Sequence, residues 1–125
     1  MIYLDTHTVA SLYQGVLTGF SVGALAALDA EDDLRISPMV FLELEYLHEI
    51  KRLKVSAQRI VDAMTQDIGL KLCSVPFPSV VKKAAEERWT RDPFDRIILA
   101  QARMGLAKLI TKDREMHVHY SQALA

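Results

Sequence analysis

The sequence predicts an α/β fold, a sandwich of helices around a parallel sheet, and three observations carry that expectation. Short apolar runs recur at Ile2–Leu4, Leu34–Ile36, LKLCSV (70–75) and Ala107–Thr111. Helix-forming stretches with recognisable caps separate them. No repeat, linker or low-complexity tract breaks the alternation, and 125 residues suit one domain, spanning 1–125, with a real core.

Each element has a local reason. Ile2–Leu4 is β-favouring and reads as a strand. Residues 8–30 are rich in Ala, Leu and Val and read as one helix, or as two joined near Gly19. Leu34–Ile36 is the second strand. Ser37-Pro38 starts a helix that is expected to reach about Leu53. Serine accepts a bond from an open N–H group there, and proline's missing N–H would have had no partner. Ser56 caps the next helix, to about Gln66. Gly69 breaks the chain before the third strand in LKLCSV, which Pro76 and Pro78 bound. A helix follows from about Ser79 to Trp89. Asp92-Pro93 repeats the cap-and-proline start for PFDRIILAQARM, and Gly105 is its stop. Ala107–Thr111 is the fourth strand. A short helix or turn follows Asp113, and the end, SQALA, reads as a brief edge strand or a frayed tail.

Composition is that of a soluble globular protein, half apolar and a quarter charged. No apolar run approaches the ~20 residues of a membrane span. The start, MIYLD, lacks the pattern of a secretory signal. Cys73 is the single cysteine and reads as a small buried hydrophobe in a reducing compartment, so the cytoplasm is the expected location. The net charge of −1 argues against a broad basic surface for nucleic acid, although clustered acids lower that figure. Basic residues bunch at Lys51, Arg52 and Lys54, at Lys82 and Lys83, and around Lys108, Lys112 and Arg114, and read as solvated faces. There is no glycine-rich phosphate loop and no serine or cysteine nucleophile motif. His117 and His119 lack zinc spacing and read as surface residues.

Four acids stand out: Asp5, Glu43, Asp95 and Asp113. Each adjoins an apolar strand or the apolar face of a helix, where an unpaired charge is costly. Asp5 follows the first strand and Asp113 the fourth. In parallel α/β sheets, ligands bind beyond the carboxyl ends of the strands. If the two strands are neighbours, their acids meet there. Glu43 has Met39, Val40, Tyr46 and Leu47 three and four positions away, all apolar, whereas Glu45 sees a mixed face. Periodicity therefore selects Glu43 over Glu45 as the inward acid. Asp95 occupies the third position of its helix, with Ile98, Leu99 and Ala102 on its face. Taken singly, each acid has a structural reading: an ion pair for Glu43, helix-dipole chemistry for Asp95, a cap or turn for Asp5 and Asp113. Asp92 reads as a cap. Arg96 can pair with Asp92 or reach a phosphate, and His7 can approach the site as a hydrogen-bonding neighbour. Acids that converge repel one another, and a divalent cation is the usual way to hold them together. Jointly, they read as a metal-dependent phosphodiester-cleaving site.

The segments YLDTH (3–7), ISPMVFLELEYL (36–47), RDPFDRIILAQA (91–102) and LITKD (109–113) resemble the PIN domain, and more closely the VapC-type toxins of toxin–antitoxin pairs. The resemblance covers nearly the whole chain, in order. It implies a three-layer α/β/α sandwich with a central parallel sheet. It implies Mg²⁺- or Mn²⁺-dependent endoribonuclease activity, with Asp5, Glu43, Asp95 and Asp113 as the catalytic and metal-holding acids and Thr6 and Thr111 in support. It further implies an RNA substrate, a VapB-type antitoxin whose tail covers the acidic pocket, and a homodimer. Two other readings stand beside the toxin: a housekeeping RNA-processing nuclease, and a PIN-like module whose acids only dock a basic partner. A phosphoacceptor domain fits poorly, because its pattern wants an acidic pair after strand one and an aspartate after strand three.

Overall fold

Five strands form one parallel sheet in the computed structural model of this chain, which describes residues 1–125. The elements in order are β1 (Ile2–Leu4), α1 (Thr6–Gln14), α2 (Val22–Ala30), β2 (Leu34–Ile36), α3 (Pro38–Glu49) and α4 (Ala57–Ile68). Then come β3 (Lys71–Leu72), α5 (Phe77–Ala84), α6 (Pro93–Met104), β4 (Lys108–Ile110), α7 (Arg114–His119) and β5 (Ala123–Leu124). The strand order is β3-β2-β1-β4-β5. β1 is central, with Ile2 opposite Leu34 of β2 and Leu4 opposite Ile110 of β4. Successive strand residues point to opposite faces, yet Ile2, Tyr3 and Leu4 are all buried, so helices cover both faces of the sheet. The chain leaves β1 toward β2 on one side and returns as β4 on the other. That reversal opens a crevice at the carboxyl ends of β1 and β4.

Local signals explain most boundaries. Residues 8–30 divide into two helices, the first of which starts at Thr6 under the Asp5 cap. Helix α3 stops at Glu49, short of Leu53. Ile50 caps it, Lys51 turns with a φ of 65°, and the His48 Nδ1 donates to the Leu53 carbonyl at 2.9 Å. Helix α4 runs to Ile68 and ends at Gly69, whose φ of 68° suits a residue without a Cβ. The third strand keeps only Lys71 and Leu72, both exposed on the sheet edge. Cys73 donates one more bond, N to the Ile36 carbonyl at 2.8 Å, and lies beyond the strand. It is buried there and its sulfur accepts from the Tyr3 hydroxyl at 3.0 Å. The segment SQALA supplies a real edge strand, Ala123–Leu124 beside β4. No helix is long and apolar enough to cross a membrane.

Helix α5 spans Phe77–Ala84, not Ser79–Trp89, because the chain after it turns Glu87 inward. Glu87 is only 6% exposed and accepts from the Arg103 Nε at 2.7 Å and from the Trp89 Nε1 at 2.8 Å. Arg103 also donates to the His119 carbonyl at 2.8 Å and lies over the Tyr120 ring, 5.0 Å from its centroid. His119 stacks on Trp89 with centroids 4.9 Å apart. This group ties the end of α6 to the end of α7. Arg103→Met leaves the Glu87 carboxylate buried without its cation. It should lower folding stability by about 3 kcal/mol, read from chemical denaturation. A loss within about 0.5 kcal/mol would show that Trp89 and solvent suffice for Glu87.

Candidate active site

The crevice beyond β1 and β4 is a cleft of about 530 Å³ lined by Asp5, Thr6, His7, Glu43, Asp92, Asp95, Ile98, Lys112 and Asp113. All four acids singled out in the sequence reach it, and Asp92 joins them. Three of the five do a second task. Asp5 caps α1 and accepts from the Thr8 N–H at 2.9 Å. Asp92 caps α6 and accepts from the Phe94 N–H at 2.8 Å. Asp113 caps α7 and accepts from the Glu115 N–H at 2.8 Å. A helix start offers open N–H groups and a positive dipole end, and both attract a carboxylate. The cleft therefore gathers charge because three helices begin at its rim.

Glu43 and Asp95 cap nothing. Glu43 is half-buried on α3 and accepts a hydrogen bond from the Thr6 hydroxyl. Burial pushes its carboxyl above the usual range, the Thr6 bond and the nearby His7 oppose the shift, and Asp92 and Asp5 add to it. Asp95 receives no hydrogen bond from the protein. Burial first, and then the charges of Asp92, Asp113, Glu43 and Asp5, push its carboxyl up to about 7. Burial without a hydrogen-bond donor, with like charges beside it, leaves this carboxyl the least favoured of the cleft's acids to ionise.

Both threonines hydrogen-bond to groups of the acid-bearing residues. Thr6 orients Glu43, and the fully buried Thr111 accepts at its hydroxyl from the Asp113 N–H at 3.0 Å. Thr8, unremarked in the sequence, donates to the Ile110 carbonyl at 3.0 Å and so pins the start of α1 to β4. Glu45 points away from the cleft and accepts from the Ala57 N–H at 3.1 Å, at the start of α4. Two sequence expectations fail. Arg96 neither pairs with Asp92 nor lines the cleft, because its Nε donates to the Thr90 carbonyl at 2.8 Å. His117 is half-buried, not a surface residue, and its Nε2 donates to the Thr111 carbonyl at 2.7 Å, bracing the turn that carries Asp113.

The donor set is all carboxylate and hydroxyl oxygen, which suits a hard divalent cation. The side chains do not form a ready cage: no three of His, Cys, Asp or Glu stand close enough to share one ion. Cap bonds hold Asp5, Asp92 and Asp113 toward their helices, and Thr6 holds Glu43. Mg²⁺ does not need a cage, since it keeps several waters and takes one or two carboxylates plus substrate phosphate.

The PIN domain family model matches residues 2–120. Ribonuclease VapC22 of Mycobacterium tuberculosis is 29% identical over 121 residues, which cover 94% of this chain and 91% of that protein. A chain of the toxin–antitoxin complex from Klebsiella pneumoniae superposes with a TM-score of 0.70 at 19% identity, covering 100% of this chain and 97% of that one. A chain of VapBC2 from Rickettsia felis, bound to a DNA fragment from its promoter, gives 0.62 at 17% identity, covering 99% and 96%. At those identities the likeness to solved structures concerns the fold.

The raised Asp95 carboxyl makes a stability prediction for the metal-free protein. Its unfolded value is about 3.9. Between there and about 7 the folded state holds the extra proton. The contribution is full below about 4 and is lost as pH rises through about 7. Denaturation in chelator should therefore show lower stability at pH near 8 than near 5, apart from other titrating groups. Asp95→Asn should flatten that difference and raise the melting temperature at the higher pH. An unchanged pH dependence in the variant would contradict the raised Asp95 carboxyl. Glu43→Gln should likewise melt higher without metal, and a clear drop would make Glu43 a structural acceptor for Thr6.

Proposed function

This chain belongs to the PIN domain family, and from that premise we propose that it is a metal-dependent endoribonuclease, the toxin of a VapBC-type pair. The observation that carries the reading is the cleft itself. Five carboxylates line it with no serine or cysteine among the lining residues to serve as a nucleophile. Water is then the attacking group and no covalent intermediate forms. The VapC22 relative, a ribonuclease by name, and the toxin–antitoxin complexes of similar fold support the same reading.

Asp5, Asp95 and Asp113 are the residues that would hold Mg²⁺ or Mn²⁺, directly or through its waters, with Glu43 orienting such a water or holding a second ion. When bound, the ion lowers the pKa of water and offsets negative charge growing at phosphorus. The protein's own groups do the rest. Thr6 holds Glu43 toward the cleft, and a carboxyl with raised proton affinity suits a general base for the attacking water. Thr111 and His117 fix the turn that presents Asp113. The three caps fix the remaining acids on rigid helix starts, so attack meets a preorganised site. The partner we infer is a small antitoxin whose basic side chain enters the acidic cleft and silences it.

The test is cleavage of labelled single-stranded RNA in Mn²⁺ or Mg²⁺, against chelator and against Asp5→Asn. Asparagine also caps helices well, so the fold should survive the change. We expect metal-dependent cleavage that falls roughly 100-fold or more in the variant. Undiminished cleavage by Asp5→Asn would contradict its role as a ligand. Neither cleavage nor a metal-induced melting shift in the wild type would leave a docking module instead.

A further inference from the structure

An acidic cleft repels the polyanion it is proposed to cut, and a cationic side chain at the cleft would offset that repulsion alongside the metal ion. Lys112 is the one lysine or arginine among the lining residues. It lies next to Asp113 in sequence, yet it makes no ion pair with any carboxylate. Its ammonium is held by the loop between α1 and α2. The Nζ donates to the Thr18 carbonyl at 3.2 Å and lies 4.1 Å from the centroid of the Phe20 ring. A carbonyl and a ring face attract a cation without neutralising it. An ammonium carries three N–H donors, and Thr18 takes one. The loop is shaped for this contact. Gly19 has a φ of +90°, and a Cβ there would stand 3.1 Å from the Nζ.

We propose that Lys112 is the phosphate anchor of the cleft: its tethered ammonium binds a backbone phosphate of single-stranded RNA beside the bond to be cut. Thr18, Gly19 and Phe20 are then positioning residues that keep the charge at the rim and off the acids. This rests on the nuclease reading above. It also assigns the α1–α2 loop to substrate affinity, although the loop supplies none of the acids.

A purely structural Lys112 would tie two loops together and do nothing for RNA. The two roles separate in the salt dependence of binding. The probe is a labelled single-stranded RNA, followed by anisotropy in Ca²⁺ between about 50 and 200 mM salt. Lys112→Gln should weaken binding about tenfold and flatten the plot of log affinity against log salt by about 0.7. In the Mn²⁺ cleavage assay it should raise KM far more than it lowers kcat. Lys112→Arg should restore the salt slope. A lower melting temperature with an unchanged slope and KM would overturn the anchor and leave the nuclease intact. A wild type that neither binds nor cleaves RNA would overturn both.

Discussion

Carboxylates in this protein are gathered by helix starts, and that one constraint shapes the fold and its chemistry together. Asp5, Asp92 and Asp113 each satisfy open N–H groups at the head of a helix, and the three heads meet beyond the carboxyl ends of two neighbouring strands. An Asp cap is worth about 1 kcal/mol over alanine to its helix. Each acid therefore has a local reason to be where it is. Their convergence is a consequence of topology: β1 and β4 pair directly, Leu4 beside Ile110, so the residues that follow them must share a crevice.

The strain of that gathering falls on the acids that cap nothing. Asp95 sits among the others with no donor of its own, and Glu43 has only the Thr6 hydroxyl. Their carboxyls are the ones pushed up, Asp95 to about 7. Folding stability is being given up here for an arrangement that a cation or a basic side chain can complete. Elsewhere the same protein handles buried charge conventionally. Glu87, more deeply buried than either, has Arg103 and Trp89 as partners, and that group holds α6 and α7 against each other. The contrast between a matched acid in the framework and an unmatched one in the cleft is the physical basis for reading the cleft as functional.

Much of this was legible in the residues. Strand ends, proline-assisted helix starts and the placement of Asp5 and Asp113 follow from local chemistry, and the pairing of β1 with β4 brings them together. Glu43 was selected over Glu45 by periodicity, but the buried stripe of α3 is Val40, Leu44 and Leu47. Tyr46, one of the apolar neighbours behind that selection, is exposed, so Glu43 stands at the margin of the stripe and reaches the cleft from there. What was illegible depends on partners far away in sequence. Nothing local marks Glu87, because its partner Arg103 lies 16 positions on. Arg96 has a backbone carbonyl six residues away, and its Nε takes that local bond rather than Asp92. The basic cluster around Lys112 read as a solvated face, because the Phe20 ring and Thr18 carbonyl lie more than 90 residues earlier in the chain.

The claim that a divalent cation completes an acid cluster under charge strain has a direct thermodynamic signature. Metal binding to a partly protonated carboxyl must release that proton. Titrating Mn²⁺ into the metal-free protein by calorimetry at pH 7, in two buffers of different ionisation enthalpy, counts the protons. The account predicts saturable binding with net proton release, a release that shrinks in Asp95→Asn. Binding that releases no protons, or no binding at all, would contradict it.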